Sequence, residues 1–282
     1  MKHAWSIIWK IVVGLAVVGL LLYVAGWVLG GRLPFTIDSG GIHPGDSVGQ
    51  HIDNQNVDAF KNIDVNTTTM SISIVTGDHY GIKADSTRST SDITWSLNQN
   101  TSTFVLRQTV SNTNTSFGQD RVTAVITVPA GAMGTISITS DAAAVDVKAD
   151  CDTLGVTTSA GLINVSGAVK NALTVQSMAG AITLSGTAGS ISVTTNAGMV
   201  TVTGASPAIS VHSDVGAVNV TVPGDWASTN YSLATTIGAI TMTGAGAPSH
   251  DHIGTAHGGP ATGYALQVKI ETTVGAITVA LS

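Results

Sequence analysis

A short glycine-containing unit recurs along the second half of this chain and constrains its fold more than any other feature. The unit reads Ser/Thr-x-x-Gly-x-Ile/Val-x-Val/Leu-Ser/Thr-Gly, with clear copies at Ser159–Gly167, Ser177–Gly186 and Thr195–Gly204. Its key positions are 18, 19, 18, 18, 22 and 37 residues apart, and the last spacing predicts a degenerate rung or one that carries a loop. A period of about 18 residues is too short for a pair of helices and is typical of a solenoid. The key positions are Ala143, Gly161, Gly180, Gly198, Gly216, Gly238 and Gly275.

The composition favours thin strands over helices. Charged residues make up only 10% of the chain and aromatic residues 5%. Within each period two short alternating segments are separated by two turns, so each copy predicts two strands and two corners. The predicted fold class is all-β: a parallel two-sheet β-solenoid of about 18-residue rungs, with an N-terminal β-strand cap and one preceding transmembrane helix.

Stacking the copies in register predicts columns of equivalent side chains. The glycine supplies a corner that a residue with a Cβ resists. A column of hydroxyl side chains before each corner is interpreted as a ladder that satisfies turn backbone groups, the alternative being a track of nucleophiles or glycosylation sites. This hydroxyl column is Ser159, Ser177, Thr195, Ser213 and Thr236. The inner columns are Val156, Leu173, Ile191, Ile209 and Leu233 on one wall, facing Ile163, Ile182, Val200, Val218, Ile240 and Ile277.

The N-terminal part indicates a membrane anchor. Residues 11–31 contain no charge, and as a helix they would span about 31 Å, the thickness of a bilayer core. Lys2 and Lys10 precede this segment, so residues 1–10 are expected in the cytoplasm and the rest of the chain outside the membrane. The alternative is a cleaved signal peptide, but the apolar run is longer than such peptides need.

Two segments separate this anchor from the repeats. Residues 32–56 are rich in Gly, Pro, Asp and Ser and predict a linker or stalk. Residues 57–130 show alternating strand patterns without the 18-residue period, and they predict a β-strand cap on the first rung of the solenoid, which occupies residues 131–282.

A histidine-rich stretch is the strongest candidate metal site. His250, His252 and His257 lie within Ala247–Pro260, and three imidazoles suit zinc with one open position. The alternative is a solvated insertion, because the stretch is rich in Gly and Pro and nothing in the sequence fixes the three rings. No catalytic residue and no cofactor is predicted.

Three other features allow a functional and a structural interpretation. The carboxylates Asp141, Asp146, Asp150 and Asp152 suggest a calcium site or, more simply, a solvated face. The single cysteine, Cys151, is interpreted as a small buried apolar residue and not as a reactive thiol. Trp226 either covers the core beside the longer 22-residue rung or stacks on a sugar or a protein partner.

The order of these elements resembles the bacterial "putative adhesin" family of domains of unknown function. The resemblance rests on Ile63–Asp78 (IDVNTTTMSISIVTGD), Val128–Gly131 (VPAG) and the glycine-punctuated units, and it extends from Val57 to the end of the sequence. It implies an envelope-associated β-solenoid, often membrane-anchored, with a surface or stress-response role. The family offers no agreed catalytic residues, and this chain departs from it in its N-terminal anchor with a long stalk and in the histidine-rich insertion.

These features predict a non-enzymatic, adhesin-like or scaffolding protein of the cell envelope. The alternatives are a regulatory module that senses envelope stress through a membrane partner and, with less support, a β-helix enzyme acting on polysaccharide. A formal net charge of −6 argues against nucleic acid as a partner. Expected partners are the membrane, a protein or cell-surface glycan, and a second copy that pairs with an open edge on the C-terminal rung at Ile277–Ser282.

Overall fold

The computed structural model describes residues 35–38, 41–44, 50–86, 91–110, 122–131, 133–248 and 252–282. These fall into two compact units, of which the first comprises residues 1–48 and 112–120. Its described part is an antiparallel hairpin of β1 (Phe35–Asp38) and β2 (Gly41–Pro44). The prediction of an irregular linker over 32–56 is therefore wrong at these strands. The predicted transmembrane segment, 11–31, lies outside the described residues, and among those described no helix is long and apolar enough to cross a membrane.

The second unit comprises residues 49–111 and 121–282, and its described part is built of strands and turns. Strands on both sides of residue 130 belong to one continuous sheet system. In chain order they are β3 (His51–Asn54), β4 (Asn62–Thr67), β5 (Ser71–Gly77), β6 (Gly81–Ser86), β7 (Ser91–Asn98), β8 (Thr103–Val110), β9 (Val122–Pro129), β10 (Met133–Ala142), β11 (Val145–Val147), β12 (Cys151–Val165), β13 (Val169–Leu184), β14 (Ala188–Ala197), β15 (Val200–Val202), β16 (Ala208–Val215), β17 (Val218–Val222), β18 (Thr229–Thr243), β19 (His252–Gly258), β20 (Leu266–Val274) and β21 (Ile277–Leu281).

Parallel pairing arranges these strands as the predicted stack of rungs with two walls. In wall A the parallel order is β8, β4, β10, β12, β13, β14, β16, β20 and β18. In wall B the order is β9, β5, β11, β12, β13, β15, β17, β21 and β18. The long strands β12, β13 and β18 take part in both walls, because each bends at its glycine corner and continues. The parallel β-solenoid is therefore confirmed.

Side chains along each strand point alternately inward and outward. Each inward position, repeated from rung to rung, forms one column of buried aliphatic side chains. The wall B column predicted from the sequence is confirmed in its membership, and all six of its members are buried. The predicted wall A column combined two columns, since Val156 pairs with Val175 and not with Leu173, which pairs with Leu154. Val156 and Leu233 stand five residues before their corner glycines, whereas Leu173, Ile191 and Ile209 stand seven residues before theirs. An irregularity between Val169 and Ala172 in β13 accounts for the one 19-residue spacing.

The order of rungs departs from the order of the chain at the C-terminal end. The last rung, β20 and β21, lies between the β16–β17 rung and β18. The strand β19 then pairs antiparallel with the other side of β18. The prediction of an open edge at Ile277–Ser282 is therefore wrong, because β21 is paired on both sides. The 37-residue spacing contains an antiparallel return strand, not a degenerate rung.

A similar exchange occurs at the other end. The β4–β5 rung lies between the later β8–β9 rung and the β10–β11 rung, so residues 57–130 contribute two further parallel rungs as well as a cap. The cap itself is antiparallel: β7 pairs with β8, β6 with β9, and β3 with β6. Behind it, the ring of Phe104 stacks on Phe60 at 5.0 Å and on Trp95 at 5.8 Å between ring centroids. These aromatic side chains close the apolar interior at this end.

At the repeated corner the rungs approach backbone to backbone. Gly198 has a φ of 144°, and a Cβ placed there would lie 1.8 Å from the carbonyl oxygen of Gly180 in the neighbouring rung. The same contact would recur at Gly161, Gly180, Gly216 and Gly275. Glycine is required here both because a side chain disfavours this φ and because no space exists for a Cβ.

Replacing a corner glycine should therefore destabilise the stack strongly. We expect Gly198→Ala to lower the free energy of unfolding by about 3 kcal/mol or more, through strained φ and displaced backbone. The measurement is urea denaturation of the purified chain, followed by circular dichroism.

The matched control is Gly155→Ala on the flat part of β12, where a new Cβ would meet no atom within 4 Å. It should change the unfolding free energy by no more than about 0.5 kcal/mol. Equal losses in both variants would show that the corner does not impose the constraint described here.

Candidate functional site

A column of buried hydroxyl side chains follows the glycine corner through the stack. Its true position is three residues before each glycine, so Ser177, Thr195 and Ser213 were correctly predicted. Ser159 and Thr236 were wrong by one residue, because their places belong to Thr158 and Thr235. The complete buried column in stack order is Thr67, Ser140, Thr158, Ser177, Thr195, Ser213, Thr272 and Thr235.

The hydrogen bonds of this column are structural. Thr158 Oγ1 donates to the carbonyl of Ala160 at 3.1 Å, Ser177 Oγ to that of Ala179 at 3.2 Å, and Thr235 Oγ1 to that of Gly275 at 3.0 Å. These hydroxyls donate to carbonyls of the turn, although the carbonyl of Ala160 also accepts the N–H of Ala143 in the neighbouring rung. The hydroxyls of Thr67, Ser140, Ser213 and Thr272 have no hydrogen-bond partner among the described residues. The interpretation as a ladder that bonds turn carbonyls is confirmed for Thr158, Ser177 and Thr235, and burial removes the whole column from contact with a substrate.

The histidine-rich stretch is only partly described. β19 begins at His252, paired with Ile240, and carries His257 opposite Ser232. Between these two positions Gly254 has a φ of 94° and the pairing with β18 shifts in register, so β19 bends there. His250 lies outside the described residues, so the three-histidine site as a whole stays a prediction.

The four aspartates of the first repeats are dispersed and not gathered at one point. Asp146 accepts a hydrogen bond from Asn164 Nδ2 at 2.9 Å and pairs with Lys148 Nζ at 2.9 Å. Asp150 accepts the backbone N–H of Ala168 at 2.8 Å, and Asp152 lies 4.0 Å from Lys170 Nζ. Among the described residues no group of three His, Cys, Asp or Glu side chains is placed to hold a metal ion.

Cys151 lies in a shallow depression at the corner where one rung passes to the next. The depression has a volume of about 460 Å³ and is lined in part by Asp150, Asp152 and Lys170. The thiol is only 6% exposed, which confirms the interpretation as a buried residue. Burial, followed by the negative charges of Asp150 and Asp152, raises the pKa of Cys151 to about 11.

Trp226 covers the end of the core. It is 4% exposed, its Nε1 donates to the carbonyl of Thr243 at 3.0 Å, and its ring meets Tyr231 edge-on at 5.1 Å. The preceding turn is fixed by Asp225, whose carboxylate accepts the N–H and the hydroxyl of Ser228; these bonds lower the pKa of Asp225. The core-covering interpretation of Trp226 is confirmed, and the ring is not exposed for stacking on a sugar.

The outward face of wall B carries a continuous row of short polar side chains that the sequence reasoning missed. In stack order it is Asp146, Asn164, Thr183, Thr201, Asn219, Thr278 and Thr241. We call this row the hydroxyl–amide column. Its signal in the sequence is the position that follows each inward Ile or Val of wall B. Because it runs through seven adjacent rungs, its hydroxyl and amide groups recur about every 4.8 Å.

Wall A lacks an equally uniform row. There His212 Nδ1 lies 3.7 Å from Glu271 Oε2, and Lys269 Nζ lies 3.1 Å from Glu271 Oε1. The imidazole of His212 and the charges of Lys269 and Glu271 interrupt the Ser and Gln side chains on the outward face of β16 and β20. The hydroxyl–amide column, by contrast, carries one charged side chain, Asp146 at its end, and hydroxyl or amide side chains on the six rungs that follow.

Comparison with models of known protein families identifies the family of this chain. The description "Toastrack DUF4097" matches residues 60–249 and 141–280, which together cover most of the chain. The chain belongs to the Toastrack DUF4097 family. This membership accounts for the β-rich stack from the cap to the last rung, and it confirms the family resemblance seen in the sequence. None of the curated proteins compared with this Toastrack chain matches it.

Solved structures share parts of this arrangement at low identity. A putative adhesin from Bacteroides fragilis is 14% identical, covers 85% of this chain and 100% of its own, and has a TM-score of 0.46. A putative cell adhesion protein from Clostridium sporogenes is 13% identical, with coverages of 83% and 99% and a TM-score of 0.34. A putative adhesin from Parabacteroides merdae is 8% identical, with coverages of 84% and 98% and a TM-score of 0.36.

The raised pKa of Cys151 predicts slow labelling of the folded protein. At pH 8 a thiol with a pKa of about 11 is ionised roughly two hundredfold less than an unfolded thiol with a pKa near 8.5, and only the thiolate reacts. We expect iodoacetamide to label the folded chain at least a hundredfold more slowly than the chain in urea. The folded thiol keeps its proton up to a higher pH than the unfolded thiol does. The unfolding free energy should therefore also fall as the pH rises from about 8.5 to 11.

The control for labelling is Cys151→Ser, which should take up no reagent in either state. Similar labelling rates for the folded and unfolded chain would contradict the burial of this thiol.

Proposed function

We propose that this Toastrack protein is a non-enzymatic, adhesin-like surface protein that binds extended cell-surface glycan along its hydroxyl–amide column. The observation that carries the proposal is the uniform polar row on wall B, with Thr183 and Thr201 at its centre. The proposal also places the stack outside the cell, on an N-terminal anchor formed by residues 11–31. Support for that location comes from the sequence, through the apolar run and the lysines before it.

The chemistry of the row suits a repeating polar ligand. Hydroxyl and amide side chains both donate and accept hydrogen bonds, as sugar hydroxyls do. Each such bond is weak in water, at about 0.5–1.5 kcal/mol net, so a useful affinity requires many of them at once. A rigid row that presents a hydroxyl or amide group on six adjacent rungs supplies this multiplicity, and a long polysaccharide offers matching repeats.

Removing two central hydroxyls should weaken this binding without harming the stack. In the double variant Thr183→Val and Thr201→Val, each new side chain keeps the β-branched shape and loses only the hydroxyl. We expect cells that display the variant to be retained at least fivefold less on a surface coated with purified bacterial cell-wall polysaccharide. Surface display is checked by protease added to intact cells.

The matched control is Thr157→Val with Thr174→Val, which removes two exposed hydroxyls from wall A. It should leave retention unchanged. If cells carrying the unaltered chain are retained no better than cells without it, the glycan proposal is wrong; if both double variants lose retention equally, the wall B column is not the contact surface.

A further inference from the structure

Large exposed apolar side chains are concentrated at the glycine corner. Among the described residues, eight large apolar residues are exposed. Six of them lie within two residues of a corner glycine, and a seventh, Ile253, lies on β19 opposite Ala239; the eighth is Tyr264. Two columns flank the glycines, one immediately before and one immediately after them in each rung; together we call them the apolar ridge. The first column is Ala142, Ala160, Ala179, Ala197, Val215, Val274 and Ile237, and the second is Ala144, Leu162, Ala181, Met199, Ala217, Ala276 and Ala239.

The ridge contains no charged side chain in either column. Leu162 is 62% exposed, Met199 50% and Ile237 64%. A folded monomer exposes few contiguous apolar patches of this kind, and those it does expose commonly mark an interface. Burial of the ridge against a partner would therefore be favourable.

The form of the ridge restricts what can cover it. Its strands lie inside the parallel walls, so their backbone groups are already paired with the neighbouring rungs. A partner strand cannot add there by main-chain hydrogen bonds, and the partner must bind through side chains. Its rows are spaced by about 4.8 Å, so a second stack of the same chain has the same spacing.

The sizes of the ridge side chains are complementary to a second copy. In no rung are both flanking residues large: Leu162 and Met199 stand across the glycine from Ala160 and Ala197, while in later rungs Val274 and Ile237 stand across from Ala276 and Ala239. A two-fold axis parallel to the stack places each rung against its own equivalent. The residue before glycine in one copy then meets the residue after glycine in the other, so that each large side chain faces an alanine.

We propose that the apolar ridge is a self-association surface on which two copies of this chain pack side by side, in the same direction and rung against rung. Such an interface is isologous, as most homodimer interfaces are. The seven rows extend about 29 Å, and with a width near 10 Å they offer about 300 Å² on each copy. The area buried on both copies together, about 600 Å², is well below the ~1,200 Å² of a stable complex. The dimer is therefore weak and forms where the chain is concentrated.

Cysteine cross-linking of the full chain, purified in mild detergent, tests the arrangement. Ile237→Cys and Ala142→Cys occupy the two ends of the ridge, and each is treated with a short bismaleimide. We expect each variant to cross-link with itself, and a mixture of the two to give no mixed dimer. Cys151 remains in place because its thiol is buried; the unaltered chain and Ser192→Cys, on the outward face of wall A, are the controls and should stay monomeric.

Two outcomes would overturn the proposal. If the Ile237→Cys variant cross-links to the Ala142→Cys variant and neither cross-links to itself, the two copies run in opposite directions. If neither variant gives more dimer than Ser192→Cys, the ridge does not associate. As an independent measure, Met199→Lys should weaken the dimer at least tenfold in sedimentation equilibrium. The matched change Thr194→Lys, on the exposed face of the same rung, should leave it unaltered, and equal effects would also contradict the proposal.

Discussion

Each rung of this protein is stable only between two others, and the rest of the structure depends on this constraint. A rung has two short strands whose N–H and C=O groups point toward its neighbours, and its inward side chains are covered by those of the rungs on either side. Burial of each aliphatic side chain contributes about 1.5–3 kcal/mol, but only once the neighbouring rung is present. The corner glycines follow from the same requirement, because Gly180 and Gly198 allow the backbones to approach until no Cβ fits between them.

The two ends of the stack show how the chain meets this constraint where a neighbour is missing. At both ends a rung formed by another part of the sequence is inserted, so that neither β4–β5 nor β20–β21 is outermost. Antiparallel strands then cover the outer edges, with β7, β6 and β3 at one end and β19 at the other. Among the described residues the outermost strands are then β3, β7 and β19, each paired on one side only, while every strand of the parallel rungs between them is covered.

The period of the glycines was sufficient to predict the rungs and the buried wall B column, because a parallel stack repeats whatever residue occupies one place. It was not sufficient to separate the two inward positions of wall A, five and seven residues before the glycine, so Val156 and Leu173 were assigned to one column although they belong to two. Nor could it predict that Ile277 would lie between Val218 and Ile240, since the order of rungs is decided by tertiary pairing. The hydroxyl–amide column and the apolar ridge could not be predicted as continuous rows for the same reason, since Thr278 lies between Asn219 and Thr241 only through tertiary pairing.

The inserted last rung is the part of this account that a measurement can test most directly. In hydrogen exchange followed by mass spectrometry, amides of Leu266–Leu281 should be protected as strongly as those of β13 and β14, because β20 and β21 are paired on both sides. Exchange of this segment as rapid as that of the turn at residues 259–265 would place it at a frayed edge, and would contradict the stack as described.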